Sequence, residues 1–185
     1  MHDSDDKRCA LTLTLPDEAA TLALGSALAA ALAALTAAGE HSCAGLVIYL
    51  EGDLGAGKTT LVRGLLRALG FAGKVKSPTY TFVEPYAISK LNLYHFDFYR
   101  FEHAEEYLDG GFEEYFGNTA ICLVEWPDKA APYLPAADLR LHLGVVDDGR
   151  IAELSAVSVE GRRCLTNLSP GTSLAATSSS SLPPR

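Results

Sequence analysis

The stretch Gly52-Asp53-Leu54-Gly55-Ala56-Gly57-Lys58-Thr59 restricts this chain more than any other part of it. It fills every fixed position of the phosphate-binding pattern G-x-x-x-x-G-K-[ST], the P-loop. That pattern carries meaning only between a strand and a helix, and both are legible. Leu46-Val47-Ile48-Tyr49-Leu50 is a short apolar, β-rich run that reads as a buried strand. Leu61, Leu65, Leu66 and Leu69 recur at helical spacing, so the loop opens a helix, with Gly70 as its expected stop.

The residue types carry the chemistry. Gly52, Gly55 and Gly57 let the backbone curl close to an anion without Cβ clashes. The loop N–H groups then form a nest at a helix N-terminus, which bears partial positive charge. Lys58 is a flexible point charge suited to the terminal phosphates of a nucleotide. Thr59 offers a hydroxyl to the Mg²⁺ that travels with it.

At 185 residues, with 48% hydrophobic and 21% charged residues, the chain has the composition of one globular domain. We expect that domain over residues 1–168 and a disordered tail over 169–185, where Ser, Thr, Pro and small residues leave no core to bury. The formal net charge of −8 argues against gripping RNA or DNA directly, since backbone binding needs clustered Lys and Arg. Cys9, Cys43, Cys122 and Cys164 are scattered without a C-x-x-C pair, and the five histidines show no metal-ligand spacing. A reducing, cytoplasmic compartment follows as an expectation. Residues 1–8 are charged and expected to fray, and they do not read as a signal peptide.

Leu11, Leu13 and Leu15 alternate with threonines as a half-buried strand, and Pro16-Asp17-Glu18 starts a helix. Residues 19–38 carry no charge and are about as long as a membrane span. Their Ala-rich composition, the single stripe of Leu24, Leu28, Leu32 and Leu35, and the absence of basic flanks favour a helix packed on a sheet, ended by Gly39. Further along, Ser77-Pro78 reads as a turn and residues 79–86 as extended. Residues 92–98 read as a strand, 102–115 as partly helical with a break at Gly110-Gly111, and 121–124 as a buried strand. Residues 139–143 and 152–159 alternate around a hairpin signal at Asp148-Gly149.

A P-loop needs an acid at the end of a neighbouring strand to hold the Mg²⁺ shell. Asp97 follows Leu93-Tyr94-His95-Phe96, and Glu125 follows Ile121-Cys122-Leu123-Val124. If both strands flank the P-loop strand, one carboxylate is a metal ligand and the other orders an attacking water. No Asn-Lys-x-Asp guanine-reading element occurs, so ATP is the expected nucleotide. No arginine-rich lid is visible, and of the arginines only Arg100 lies beside a candidate acid in sequence, so water is the expected acceptor. A small-molecule kinase and a nucleotide switch that only binds and signals stay open as alternatives.

The run Gly52 to Thr60, then Val75-Lys76-Ser77-Pro78-Thr79-Tyr80, Tyr94-His95-Phe96-Asp97 and Val124-Glu125-Trp126-Pro127, in that order, resembles the TsaE (YjeE) family. The Pro16-to-Thr21 opening fits as well, and the resemblance covers residues 13–159. It implies an α/β P-loop NTPase with a mixed, mainly parallel sheet flanked by helices. It also implies an ATPase acting in tRNA threonylcarbamoyladenosine formation while docked on threonylcarbamoyl-transferase proteins of the TsaB/TsaD type. Carried over, Thr59 and Glu125 are Mg²⁺ ligands, and Lys58, Asp97 and Glu125 are catalytic. Glu18, Gly52, Gly55, Ala56, Gly57, Lys58, Thr59, Thr60 and Thr79 border the ATP. Ser77-Pro78-Thr79 resembles a switch loop near the γ-phosphate, and Trp126 lines the site or a partner surface.

Overall fold

The apolar runs become strands whose alternate side chains are buried, which is how a sheet covered by helices draws its strands from sequence. In chain order the strands are β1 (Ala10–Leu15), β2 (Leu46–Glu51), β3 (Val83–Ile88), β4 (Leu91–Asp97), β5 (Ala120–Glu125), β6 (Leu139–Val146) and β7 (Gly149–Ala156). The helices are α1 (Glu18–Ala37), α2 (Lys58–Ala68), α3 (Glu106–Asp109) and α4 (Val159–Asn167), with short 3₁₀ turns at Phe112–Tyr115 and Pro127–Ala130. The computed structural model describes residues 9–37, 45–88, 91–117 and 119–168. The readings of a frayed 1–8, of Gly39 as a helix stop and of a disordered 169–185 lie outside the described residues.

The strands form a seven-stranded sheet in the order β1-β7-β6-β2-β5-β4-β3. The four central strands run parallel, through the pairs β6–β2, β2–β5 and β5–β4. Antiparallel pairs close both margins: β6–β7–β1 on one side, β4–β3 on the other. This is the α/β architecture expected, a mixed sheet with a parallel centre and flanking helices. Pro85, which lacks an N–H, sits in β3, where the edge position tolerates it.

One sheet face packs against α1, α2 and α4. Leu24, Leu28 and Leu32 of α1 meet Leu61, Leu65 and Leu66 of α2 over Leu46, Ile48, Leu50, Leu123 and Leu141. By length and composition alone, residues 18–36 of α1 could cross a membrane. In the structure the leucine stripe of α1 is instead part of this core. The helix seats closely on α2: a Cβ added at Gly25 would stand 2.2 Å from the Leu61 carbonyl, and one at Gly64 2.3 Å from the Leu22 carbonyl. The other face, over β4 and β5, holds an aromatic cluster of Phe96, Phe98, Phe101, Tyr107 and Phe112, packed largely edge-to-face or tilted.

Three local readings are corrected. The strand expected from Thr79 begins at Val83. Residues 79–82 form a turn in which the Phe82 N–H reaches the Pro78 carbonyl at 2.7 Å and Phe82 takes φ 62°. The hydroxyl of Thr79 is drawn to Asp97, which bends the chain before pairing can start. The β6–β7 hairpin turns at Asp147-Asp148, one residue earlier than expected, with Asp147 at φ 48° and Val146 paired to Gly149. The last alternation stops at Ala156, because Ser158 accepts from the Gly161 N–H at 3.0 Å and caps α4, a helix that two β-branched valines, Val157 and Val159, hid in the sequence.

Candidate functional site

The parallel centre of the sheet brings the C-terminal ends of β2, β5 and β4 side by side, the edge at which open α/β sheets bind ligands. Leu50 of β2 lies opposite Glu125 of β5, and Glu125 lies opposite Asp97 of β4. The condition that both acid-bearing strands flank the P-loop strand is therefore half met: β5 does, while β4 is one strand further out. That order divides the contacts. The Thr59 hydroxyl, in the first turn of α2, donates to Glu125 Oε1 at 3.0 Å. Asp97 instead holds the loop after α2: its Oδ2 accepts from the hydroxyls of Ser77 and of Thr79 (2.7 Å), and its Oδ1 from the Tyr99 N–H at 3.0 Å. Both carboxylates are almost fully buried.

The P-loop leaves β2 at Gly52 with φ 128°, where a Cβ would stand 2.3 Å from the Leu143 carbonyl, so only glycine fits. It ends at Gly57, the N-cap of α2, with φ 110°. No side chain caps this helix, and no acid lies in its first turn. The leading N–H groups of Lys58, Thr59 and Thr60 thus lack the intrahelical partners that later residues have. A glycine cradle ending at an uncapped helix N-terminus fits a phosphate. Ala56 is buried in the loop, its N–H turned back to the Asp53 carbonyl at 3.1 Å, whereas Gly55 is exposed at the tip.

Lys58 is only 4% exposed. Its Nζ donates to the carbonyls of Gly52 (2.6 Å) and Asp53 (2.9 Å) and lies 4.5 Å from the centroid of the Trp126 ring. Burial pulls its pKa below the ordinary lysine value, opposed by the carboxylates of Glu125, Asp97 and Asp53. Trp126 follows Glu125 with φ 58°, a left-handed bend that swings its ring under Lys58 and against Tyr99. A cleft of about 720 Å³ opens beside the loop, lined among others by Gly52, Asp53, Trp126, Asp128 and Arg140.

Glu18, at the start of α1, pairs with Arg63 of α2 at 3.6 Å, on the surface. One turn on, buried Thr21 abuts the loop at Gly57, so α1 reaches the P-loop through Thr21. Arg100, the arginine singled out in sequence, stacks on exposed Tyr80 (4.3 Å) and donates to its hydroxyl at 3.1 Å. Sequence reasoning overlooked Arg150. From the start of β7 its Nε donates to the Ala56 carbonyl at 2.6 Å, bringing a guanidinium to the loop's end. Nothing local to Arg150 signals this; it follows from the β1–β7–β6 margin folding back beside β2.

Sequence reasoning also gave no role to His95. It is fully buried, and its Nε2 lies 2.8 Å from Glu125 Oε1. Part of the signal was local: Leu93, His95 and Asp97 alternate onto one face of β4, so His95 shares a face with a candidate acid. The placing of Leu123 and Glu125 of β5 on that same face follows from the strand pairing.

The family model "Threonylcarbamoyl adenosine biosynthesis protein TsaE" matches residues 15–151, which include the P-loop, Asp97 and Glu125. The chain is 43% identical to the tRNA threonylcarbamoyladenosine biosynthesis protein TsaE of Haemophilus influenzae over 159 residues, 86% of this chain and 98% of that relative. It is 43% identical to the protein of the same name from Bacillus subtilis over 128 residues, 69% of this chain and 78% of the relative. The crystal structure of Bacillus subtilis YdiB superposes with a TM-score of 0.68 at 31% identity, covering 86% of this chain and 94% of the other. The family model spans most of the chain and these relatives align over most of their own length, and the chain belongs to the TsaE family of threonylcarbamoyl adenosine biosynthesis proteins.

Proposed function

We propose that this chain binds Mg·ATP at the P-loop and hydrolyses it as an accessory ATPase in the formation of threonylcarbamoyladenosine in tRNA. The observation that carries the nucleotide reading is the Thr59–Glu125 hydrogen bond, which sets a hydroxyl and a carboxylate together at the mouth of an uncapped glycine cradle. Among the described residues no three His, Cys, Asp or Glu side chains gather as a metal cage. Mg²⁺ suits such a place, since it takes one or two protein oxygens and fills the rest with water and phosphate.

When bound, Mg·ATP supplies the transferable phosphoryl group and a cation that draws off developing charge. The residues of the chain do the rest. The N–H groups of the loop and of the first turn of α2 hold the phosphates, with Gly52, Gly55, Ala56 and Gly57 shaping the loop. Lys58, itself only 4% exposed, supplies positive charge where charge interactions are stronger than in water. Thr59 and Glu125 hold the cation. Asp97 ties down Ser77 and Thr79 and orders the attacking water.

Partners complete the site. Efficient P-loop hydrolysis needs positive charge on the transferring phosphoryl group. Here Arg100 is engaged with Tyr80, and Arg150 with a loop carbonyl. Hydrolysis by the isolated chain is accordingly slow, and threonylcarbamoyl-transferase proteins of the TsaB/TsaD type accelerate it in the cytoplasm, with tRNA held by them rather than by this acidic chain. Depleting the protein in its native host should lower threonylcarbamoyladenosine in total tRNA. The wild-type chain should restore it and Lys58→Ala should not. Unchanged modification after depletion would refute the pathway assignment.

A further inference from the structure

The buried histidine of β4 has no part in the reading above, although it touches a residue that does. His95 is fully buried, and its imidazole has one hydrogen-bonding partner among the described residues, Glu125 Oε1 at 2.8 Å. The other ring nitrogen, Nδ1, has none. Leaving a buried polar atom unsatisfied costs about 1–3 kcal/mol, so a strand that needed only bulk here would be better served by leucine or phenylalanine. On this face of the sheet Leu93 and Leu123 beside it are apolar, while Asp97 follows two residues on in β4 and Glu84 of β3 lies opposite.

The geometry on Glu125 indicates what the imidazole provides. Oε1 receives two donors, the Thr59 hydroxyl at 3.0 Å and His95 Nε2 at 2.8 Å. A metal-ligating carboxylate only accepts, so Nε2 carries the proton in this contact. The two donors come from different elements, one from α2 and one from β4, and converge on one oxygen of a side chain that could otherwise rotate. Glu125 sits at the end of its strand, just before the left-handed residue Trp126, so beyond it the chain leaves the ladder that holds the backbone. We infer that His95 is a positioning residue: it holds the Glu125 carboxylate in the orientation that binds the divalent cation, through the Nε2–H to Oε1 hydrogen bond. Outer-shell groups of this kind typically contribute 10–100-fold to metal affinity. The inference rests on the Mg·nucleotide reading of the site.

The test separates the two. ADP binding is measured by calorimetry on the full chain, in excess EDTA and across a Mg²⁺ titration, with thermal melting of each variant in EDTA. His95→Leu removes the donor and keeps apolar bulk. His95→Gln keeps an amide N–H that reaches as far as Nε2. Expected is a 10–100-fold weaker Mg²⁺ dependence in His95→Leu, with ADP affinity in EDTA unchanged, and recovery to within about threefold of wild type in His95→Gln. In the background of Glu125→Gln, His95→Leu should have no further effect on Mg²⁺ dependence. A wild-type Mg²⁺ response in folded His95→Leu would overturn the inference. So would a parallel loss of melting temperature, EDTA affinity and Mg²⁺ response that His95→Gln fails to recover, which would make the residue merely structural. A wild-type chain whose ADP binding ignores Mg²⁺ altogether would instead sink the underlying site reading.

Discussion

Gly25→Ala sets two effects of opposite sign against each other at the contact between α1 and the P-loop helix. Within a helix, alanine is favoured over glycine by about 1 kcal/mol. If α1 were a loosely attached or membrane-directed segment, the substitution would stabilise it by that amount. In the structure the new Cβ would stand 2.2 Å from the Leu61 carbonyl oxygen and 2.7 Å from the Leu65 amide nitrogen, both inside the 3.0 Å that Cβ atoms keep. These are backbone atoms of α2 and cannot rotate away, so the two helices must part and loosen the packing of Leu24 and Leu28 on Leu61 and Leu65. Overpacking of this kind costs about 1–3 kcal/mol, and the rigid neighbour places it at the upper end. The net expectation is a destabilisation of about 2 kcal/mol. For a chain of this length that lowers Tm by about 4–8 °C. Urea denaturation followed by far-UV circular dichroism gives the free energy directly. Ala30→Gly, at an exposed position of the same helix, calibrates the propensity term alone. A Gly25→Ala variant as stable as wild type, or more stable, would refute the seating of α1 on α2.

Other outcomes follow from the site. Lys58→Ala should abolish ADP binding by calorimetry while leaving the chain folded, since a buried cation is removed along with its carbonyl contacts; ADP binding at wild-type affinity would contradict the cradle. Glu125→Gln should weaken Mg²⁺-dependent ADP binding, whereas Asp97→Asn should keep more binding and lose turnover, and the reverse pattern in calorimetry and phosphate release would exchange their roles. Guanine nucleotides should bind at least about tenfold (about 1.4 kcal/mol) more weakly than ATP or ADP, and equal affinity would refute the adenine preference. At high pH, burial holds the Cys122 thiol protonated up to about 12 in the folded chain, against 9.0 unfolded. Between those values the unfolded chain binds fewer protons, so stability falls as pH rises, by up to about 1.4 kcal/mol per pH unit from this group. Tyr49, raised from 10.0 to about 12 chiefly by burial, adds to the same limb. Urea midpoints from pH 9 to 11 should fall less steeply in Cys122→Ala.

Much of this was legible in the sequence because it rests on short-range rules. The P-loop, its strand and its helix lie within one 25-residue run, 46–70, and period and glycine placement suffice to read them. The two acids were legible because strand ends are local. What the sequence hid depends on which strands become neighbours. The order β2-β5-β4 puts Glu125 against Thr59 and Asp97 against the Ser77–Thr79 loop, a division that no spacing along the chain encodes. Arg150 reaches Ala56 only because the β6–β7 hairpin returns beside β2, while Arg100, adjacent to the acid in sequence, turns to Tyr80. The β3 boundary was misjudged for a related reason: a distant carboxylate, Asp97, outcompetes the local extended preference of Thr79. α4 was missed because Val157 and Val159 continue an alternation that the Ser158 cap ends.

The proposed function makes turnover depend on partners: the chain hydrolyses ATP at a site that the threonylcarbamoyl-transfer proteins complete. The direct measurement is steady-state phosphate release from Mg·ATP by the purified chain alone, with the transferase proteins, and with tRNA added, using Lys58→Ala as the blank. Slow turnover alone, raised at least about tenfold (about 1.4 kcal/mol in barrier) by the partners, is the result expected. Rapid turnover by the lone chain that partners leave unchanged, or no turnover above the Lys58→Ala blank in the full assembly, would contradict it.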